Sequence, residues 1–188
     1  MNDCIQITPY LSYFPAQETP LSADIFVIQG RERLYLYDTG YGEKALRFLH
    51  SLPQPAAVIL SHFHADHAGN AVVPCDELLV SNRTRQKIGI GSIVDAERVI
   101  EDGITLRIAR CPSVHEKGSL IVTVNGEYTL VGDLWYARQP LNRSVAMEML
   151  SVLRSIDTKY FVVSHAENKL YEKQQAITGI KAQIAACE

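Results

Sequence analysis

The sequence predicts an α+β fold in which β-sheets pack face to face and helices lie outside them. Short apolar runs recur along the chain, stretches with helical spacing separate them, and the strands fall into two successive halves. The chain has 188 residues, 47% of them hydrophobic and 21% charged, which is ordinary for a globular protein with a sizeable core. We therefore expect one domain over residues 1–188.

The first half of the chain begins with two predicted strands in residues 24–38, joined at Gly30, followed by a turn over 38–42. A helix is expected next, because apolar side chains recur there with helical spacing. These side chains are Ala45, Leu46, Leu49 and Leu52. Residues 56–60 and 77–81 are short apolar runs, which indicate buried strands.

The second half alternates in the same way. Its predicted strands lie at 104–110, 119–124, 127–132 and 159–164, and its predicted helices at 142–156 and from Tyr171 onward. The dipeptide Asn125-Gly126 lies between two apolar runs, and this is a strong signal for a β-hairpin. Because two successive sets of strands are each interrupted by helices, we expect two sheets that pack face to face with the helices outside them.

The overall charge argues against bulk electrostatic binding to nucleic acid or membranes, because the net charge is −3. No run reaches the roughly 18 apolar residues of a membrane span. The N-terminal segment lacks the basic start and the long apolar stretch of a signal peptide. The four cysteines form no CxxC pair, so we expect reduced thiols and a cytoplasmic location. Cys111 is expected to pack beside a site rather than to bind a metal.

One local feature leaves nucleic acid open as a partner. The segment SNRTRQK, residues 81–87, places Arg83, Arg85 and Lys87 close together, and such side chains can hold phosphate. A solvated surface turn is the simpler interpretation of this segment. The sequence leaves the oligomeric state undetermined.

The segment SHFHADHAGN, residues 61–70, contains half of the six histidines of the chain. Histidine beside carboxylate suits zinc, iron or manganese better than it suits a hydrophobic core. Side chains two apart in an extended segment point the same way, so His62 and His64 can reach one ion together. If the chain then turns into a helix, Asp66 and His67 can reach a second ion.

Three further candidate ligands lie at strand ends or between strands. His115 lies between the predicted strands at 104–110 and 119–124. Asp133 and His165 each directly follow a predicted strand, where a stiff support can hold a ligand. The remaining histidine, His50, lies in the first predicted helix, and we expect it to face solvent.

Taken in order, these motifs resemble those of the metallo-β-lactamase fold superfamily. The matching residues are Asp38-Thr39-Gly40 after a strand, the H-x-H-x-D-H run at 62–67, the later His115, Gly132-Asp133 after a strand and the strand-end His165. The resemblance extends over residues 24–165. It implies a four-layer αββα sandwich with a metal site in a cleft at one edge.

The resemblance also implies the ligand sets. One metal would be bound by His62, His64 and His115, a second by Asp66, His67 and His165, with Asp133 bridging both and Asp38 orienting a ligand through a hydrogen bond. Two departures from the family pattern stand out. The text before His115 is CPSVH where many relatives have T-P-G-H, and Ser164 precedes the last histidine where relatives often have glycine.

The chemistry that follows from the resemblance is metal-dependent hydrolysis. Two cations, expected to be zinc with iron or manganese as alternatives, would share a bridging water that becomes a hydroxide and attacks the substrate. Asp66 or a water on the second metal is expected to protonate the leaving group. Tyr136 stands three residues after Asp133, and this spacing resembles that of a tyrosine that assists at the substrate carbonyl in the N-acyl homoserine lactonases of the superfamily. Packing of Tyr136 at the cleft rim is the alternative.

The fold does not determine the substrate. The first hypothesis is a di-metal hydrolase that acts on a small ester, lactone or thioester. The alternatives are a phosphodiesterase or nuclease of the same fold, and a mononuclear iron oxidoreductase that resembles the persulfide dioxygenases. A non-catalytic metal-binding relative is a fourth reading.

Overall fold

The computed structural model describes residues 4–136 and 140–186, and it contains both strands and helices. The strands are β1 (Ile5–Thr8), β2 (Leu11–Phe14), β3 (Gln17–Glu18), β4 (Leu21–Ser22), β5 (Ile25–Gln29), β6 (Leu34–Tyr37), β7 (Ala57–Ile59), β8 (Glu77–Val80), β9 (Ser92–Ile93), β10 (Arg98–Glu101), β11 (Thr105–Cys111), β12 (Ser119–Val124), β13 (Tyr128–Gly132), β14 (Tyr160–Val163) and β15 (Leu170–Glu172). The helices are α1 (Gly42–Ser51), α2 (Ala65–Ala68), α3 (Asn82–Ile88), α4 (Arg143–Ser155) and α5 (Lys173–Ala185).

Two large sheets face each other. The N-terminal sheet has the strand order β1-β2-β5-β6-β7-β8-β9, and the C-terminal sheet has the order β10-β11-β12-β13-β14-β15. One apolar core contains side chains from both sheets. A second core joins the N-terminal sheet to α1 and α2, and a third joins the C-terminal sheet to α4 and α5. The layers are therefore helix, sheet, sheet, helix, and the predicted αββα sandwich is confirmed.

The period of the strands explains how each sheet serves two cores. Successive side chains of a strand point to opposite faces. In β6, Tyr35 and Tyr37 belong to the core between the sheets, whereas Leu34 and Leu36 pack toward α1. The hydroxyl of Tyr37 donates a hydrogen bond to the backbone oxygen of Leu120 in β12, at 2.8 Å. This hydrogen bond links the two sheets and gives the buried hydroxyl of Tyr37 the partner that it needs inside the core.

Parallel strand pairs bring the polar strand ends together. In the N-terminal sheet β6 pairs with β7 in parallel, and in the C-terminal sheet β13 pairs with β14 in parallel. The carboxyl ends of parallel strands meet at one edge of a sheet, and this edge is where open α/β sheets bind ligands. Asp38 follows β6, His62 follows β7 after a short connection, Asp133 follows β13 and His165 follows β14.

The turn chemistry of the predicted hairpin is confirmed. Asn125 and Gly126 join β12 to β13 with φ of 54° and 63°, the left-handed conformation that a tight hairpin turn demands. Other elements differ from prediction. The sequence did not predict β1 and β2, because each has only four residues and β1 has no buried side chain. Residues 82–88 form α3 rather than a turn, because the hydroxyl of Ser81 accepts a hydrogen bond from the amide of Thr84 and caps the helix.

No helix among the residues described has the length and apolar character needed to cross a bilayer.

Candidate metal centre

The structure brings together the side chains that the sequence predicted as ligands. Their ligand atoms form two groups, and within each group all of them lie within 4.8 Å of one another. The first group is His62, His64 and His115; the second is Asp66, His67, Asp133 and His165. His50 lies elsewhere, exposed on α1 as expected.

The first group consists of histidine nitrogens alone. Nε2 of His62 lies 2.8 Å from Nδ1 of His64, and Nε2 of His115 lies 3.0 Å from the same nitrogen. His115 reaches this position although the text before it departs from the family pattern. The loop that carries it is held by the hydroxyl of Ser113, which accepts from the amide of His115 at 3.1 Å and donates to the backbone oxygen of Leu134 at 3.0 Å.

The second group mixes histidine with carboxylate. Nε2 of His165 lies 3.1 Å from Oδ2 of Asp66, and Nε2 of His67 lies 3.6 Å from that same oxygen. Asp133 lies between the two groups: its Oδ2 is 3.2 Å from Nε2 of His67 and 3.6 Å from Nε2 of His115. This is the place that a bridging carboxylate would occupy.

The local backbone explains how one short segment serves both groups. His64 is the extended residue before α2, with φ −62° and ψ 146°, so His62 and His64 lie on an extended stretch. The chain then enters α2, which turns Asp66 and His67 away from that line. The backbone oxygen of His67 accepts hydrogen bonds from the amide and the hydroxyl of Thr39, so α2 is anchored to the end of β6.

The outer nitrogens of His67 and His115 each meet an acceptor. Nδ1 of His67 lies 2.7 Å from Oδ2 of Asp38, and Nδ1 of His115 lies 2.9 Å from the backbone oxygen of Tyr136. Since neither oxygen can donate, both Nδ1 atoms carry the proton, and in the neutral rings the Nε2 lone pairs face the centre. We infer these tautomers from the hydrogen-bond network.

The outer nitrogens of the other two histidines in residues 62–67, His62 and His64, also face polar side chains. Ser61 donates its hydroxyl proton to Oδ2 of Asp38 at 2.7 Å, and its oxygen lies 2.9 Å from Nδ1 of His62. His64 points its Nδ1 inward instead, and its outer Nε2 lies 3.8 Å from Oε2 of Glu116. The sequence pattern indicated Asp38, whereas Ser61 and Glu116 were missed because their roles depend on contacts across the fold.

The electrostatics of the second group favour a positive charge at the centre. Burial alone would lower the pKa of His67, but the carboxylates of Asp38 and Asp133 outweigh it and raise this pKa to about 10. Burial would raise the pKa of Asp133, but contact with His67 and the nearby His165 holds it below its ordinary value. In the metal-free state a protonated His67 therefore stands where a cation would neutralise the carboxylates.

Two buried polar atoms at this centre lack a well-formed hydrogen bond. Within residues 4–136 and 140–186 these are Nε2 of His67, whose nearest carboxylate oxygen is Oδ2 of Asp133 at 3.2 Å, and Oδ1 of Asp133. Buried polar atoms are nearly always paired, so such exceptions call for a ligand or ion. Imidazole nitrogens and carboxylate oxygens are the donors that zinc, iron and manganese accept. The residues present fit a pair of divalent cations.

The other predicted site residues are placed as follows. Tyr136 is 38% exposed, and its hydroxyl donates to the backbone oxygen of Ser164 at 2.9 Å. Its pKa is raised to about 12, mainly by burial, so the hydroxyl keeps its proton at neutral pH. Cys111 is buried beside α4 and α5, and burial raises the pKa of its thiol to about 12, which agrees with packing rather than ligation.

The basic side chains of residues 81–87 lie in two different environments. Arg83 and Lys87, one turn apart on α3, both approach the ring of Phe63 at 5.7 and 5.5 Å from its centroid. Phe63 lies between His62 and His64, and its ring is 5.0 Å from that of His64. Arg85 points away, because its guanidinium binds the backbone oxygen of Gly89.

Comparison with known proteins agrees with this fold. The family model described as the metallo-beta-lactamase superfamily matches residues 19–78. The chain superposes on a B3 metallo-beta-lactamase with an active-site glutamic acid, with a TM-score of 0.73 and 10% identity over 98% of this chain and 89% of the other. It superposes on a metallo-beta-lactamase from Pontibacter korlensis with a TM-score of 0.69 and 13% identity over 98% and 97%. No curated protein sequence matches the chain.

The chain also superposes on a flavoprotein from Thermotoga maritima, whose name indicates a different kind of chemistry. Its TM-score is 0.69 and its identity 14%, over 93% of this chain. This chain spans about half of that protein, 52% of its length. At these identities the likeness concerns the fold. The chain therefore has the metallo-β-lactamase fold, with a histidine and aspartate cluster suited to metal ions.

Proposed function

We propose that this chain is a metal-dependent hydrolase that binds two divalent cations, zinc in the first place, and acts on a small ester, lactone or thioester. The observation that carries the proposal is the convergence of the two ligand groups at one edge of the sandwich, where buried atoms of His67 and Asp133 lack a well-formed hydrogen bond. His62, His64 and His115 would hold one cation, and Asp66, His67 and His165 the other. Asp133 lies between the groups and would contact both.

When bound, two divalent cations would supply Lewis acidity and activate water at neutral pH. The chain's own residues would do the rest. The acceptors at Asp38, Ser61 and the backbone of Tyr136 hold the histidine rings in place, and this preorganisation is what a reactive site requires.

Asp66 is the residue that we propose to move the proton. Its carboxyl is partly exposed, and its Oδ2 lies 3.1 Å from Nε2 of His165. Burial would raise its pKa, but His165 and His67 hold the pKa below its ordinary value. Asp66 is therefore ionised at neutral pH and would accept a proton from water before passing it to the leaving group.

A phosphodiesterase is the second candidate, and one observation favours it. Arg83 and Lys87 lie together over Phe63, beside His64 of the first group. Cationic side chains beside a metal site are suited to a negatively charged substrate group, although Arg83 already lies 3.8 Å from the carboxylate of Glu116. An iron oxidoreductase is the third candidate, because flavo di-iron proteins of Thermotoga maritima have the same fold.

The test combines metal analysis with substrates. Protein purified without chelators should contain about two zinc ions per chain and should cleave lactones or thioesters, and a chelator should abolish this activity. Asp133→Ala should lose turnover and metal, whereas His50→Ala, which alters an exposed histidine outside the cluster, should behave as wild type. One iron per chain would favour a mononuclear oxidoreductase and two irons a di-iron one, whereas cleavage of bis-p-nitrophenyl phosphate alone would favour the phosphodiesterase. Wild-type turnover by Asp133→Ala would refute the proposal.

The role proposed for Tyr136 has a separate test. Its hydroxyl already donates to the backbone oxygen of Ser164, so assistance at a substrate carbonyl would require that bond to break. Tyr136→Phe should slow ester or lactone cleavage moderately while two metals remain bound. Unchanged rates would assign Tyr136 to packing at the rim.

A further inference from the structure

The loop that carries His165 is bound to the opposite sheet by a buried carboxylate. Asp24 directly precedes β5 in the N-terminal sheet and is 0% exposed. His165 follows β14 in the C-terminal sheet. The amide of His165 donates to Oδ2 of Asp24 at 2.9 Å, although the two residues are far apart in sequence.

Three donors from this loop converge on the same carboxylate oxygen. Besides the amide of His165, the hydroxyl of Ser164 lies 3.2 Å from Oδ2 and Nζ of Lys169 lies 2.6 Å from it. The other oxygen, Oδ1, accepts from the amide of Ala16 at 3.0 Å. The hydroxyl oxygen of Ser164 also accepts a hydrogen bond from the amide of Asp24 at 3.1 Å. Such a carboxylate is fully satisfied and joins two segments of the N-terminal sheet region to the loop.

The backbone of His165 needs such support. Its φ is 59°, the left-handed region that residues with a side chain rarely adopt. Ser164 adds two contacts between its hydroxyl and Asp24, which fix the residue directly before His165. A strained residue persists only where its surroundings determine its position, and strain of this kind is concentrated at functional sites.

We propose that Asp24, together with Ser164 and Lys169, is a positioning group for His165: the network holds this histidine in its left-handed conformation, with Nε2 aimed at Asp66 and Asp133. The proposal rests on the proposed two-metal function, because its consequence is affinity for the cation of the second group. The ammonium group of Lys169 balances the negative charge of the Asp24 carboxylate, and the Lys169 side chain is 12% exposed. Asp24 belongs to neither of the two ligand groups.

The decisive variant is Asp24→Asn. The asparagine keeps the size of the side chain but replaces one acceptor oxygen by a donor, so it cannot accept on both sides. Lys169→Met is the second variant, which removes the charge partner and leaves the carboxylate. The matched control is Asp102→Asn. Asp102 also accepts two backbone amides, from Glu32 and Arg33, but at the end of β6 remote from Asp38.

Two measurements on the full-length chain test the proposal. The first is hydrogen exchange of the His165 amide in metal-free protein, which should be at least about tenfold faster in Asp24→Asn because the bond to the carboxylate is weakened. The second is zinc titration against a competing chelator. His165→Ala identifies the zinc equivalent that depends on the second group. That equivalent should weaken by about 10- to 100-fold in Asp24→Asn, and by less in Lys169→Met, while the first is nearly unchanged.

The outcomes separate the proposal from its premise. Asp102→Asn should leave both zinc affinities as in wild type even if it lowers the melting temperature. Asp24→Asn with wild-type exchange at His165, or with both zinc equivalents as tight as in wild type, would overturn the positioning role. Equal weakening of both equivalents would also overturn it, since that would mark a general loss of structure. If wild-type protein binds no zinc, the proposed function fails, and exchange at His165 still decides whether Asp24 holds the loop.

Discussion

Asp38 shows at the scale of single residues how the centre depends on contacts outside the ligands. Its Oδ1 accepts from the amide of Ser61 at 2.7 Å, and its Oδ2 lies 2.7 Å both from the hydroxyl of Ser61 and from Nδ1 of His67. Asp38 and His67 are fully buried. The pair therefore fixes one histidine directly and a second, His62, through Ser61.

Asp38→Asn should destabilise the metal-free protein. With a pKa raised to about 10, His67 is protonated at pH 7, so the variant would remove one of the two carboxylates that offset this buried charge and leave only that of Asp133. Loss of one member of a buried pair costs about 3–5 kcal/mol, and the remaining carboxylate should reduce this loss. Urea unfolding in the presence of a chelator measures the change. Asp76→Asn, which breaks an exposed pair with Arg33, serves as the control and should change little. Equal, small effects of the two variants would contradict the assigned role of Asp38.

At the same scale, the ligands were more predictable than their supports. His62, His64, Asp66 and His67 form a local pattern, and Asp133 and His165 follow apolar runs, so residue type and position were both visible in the sequence. The contacts of Glu116 with His64 and of Asp24 with His165 join segments distant in the chain. Only the folded topology brings such pairs together, and a single sequence carries no local signal for them.

The strand β13 illustrates how an element aims a ligand. It ends at Gly132, whose φ is 55°, and the pairing of β13 with β14 shifts register between Leu130 and Gly132. A Cβ added at Gly132 would lie 2.8 Å from Cβ of Ser61. Both the backbone conformation and the close approach require glycine here, and the resulting turn directs Asp133 to the centre.

Gly132→Ala should therefore destabilise the protein by about 1–3 kcal/mol from backbone strain, with the close contact to Ser61 adding to the loss. It should also weaken metal binding, because both Asp133 and Ser61 would move. The matched control is Gly179→Ala in the middle of α5, where an added Cβ meets nothing within 4 Å. That variant should stabilise by about 0.5–1 kcal/mol. Thermal unfolding and zinc titration of both variants provide the check, and a neutral Gly132→Ala would contradict this account of the strand end.

Among the elements, those with a clear periodicity were predicted well. The strand β12 matches its predicted range, and all of its residues are buried. The helix α4 agrees to within a residue because its apolar face recurs regularly. The short strands β3, β4 and β9 have two residues each, too few for a period to show. Segment 81–87 was misjudged because its helix is held by a cap and by contacts with Phe63 rather than by an apolar face.

For the whole molecule, the candidate centre joins the two sheets. His62 follows β7 of the N-terminal sheet, whereas Asp133 and His165 follow β13 and β14 of the C-terminal sheet. A cation bound by both would stabilise the folded state over the unfolded chain, in which these ligands are dispersed. The cytoplasmic location and the single domain over residues 1–188 remain predictions from the sequence.

Metal removal should accordingly lower the melting temperature. A free ligand at about 1,000 times its Kd adds about 4.1 kcal/mol to the stability of the folded state. For a chain of this size, 1 kcal/mol shifts the melting temperature by about 2–4 °C. Zinc at that concentration should therefore raise the melting temperature of chelator-treated protein by about 8–16 °C. His165→Ala should lose a large part of this increase and His50→Ala none of it. An unchanged melting temperature on zinc addition would speak against a site shared by the two sheets.

The central claim is that the two groups of side chains form one binuclear metal centre. Anomalous diffraction at the zinc absorption edge, on crystals of zinc-loaded protein, tests it most directly. The account predicts two peaks about 3.5–4 Å apart. One should lie about 2.0–2.1 Å from Nε2 of His62, Nδ1 of His64 and Nε2 of His115, and the other at the same distance from Nε2 of His67 and of His165. A map with no peak at this edge of the sandwich, or with zinc bound by other residues, would contradict the account.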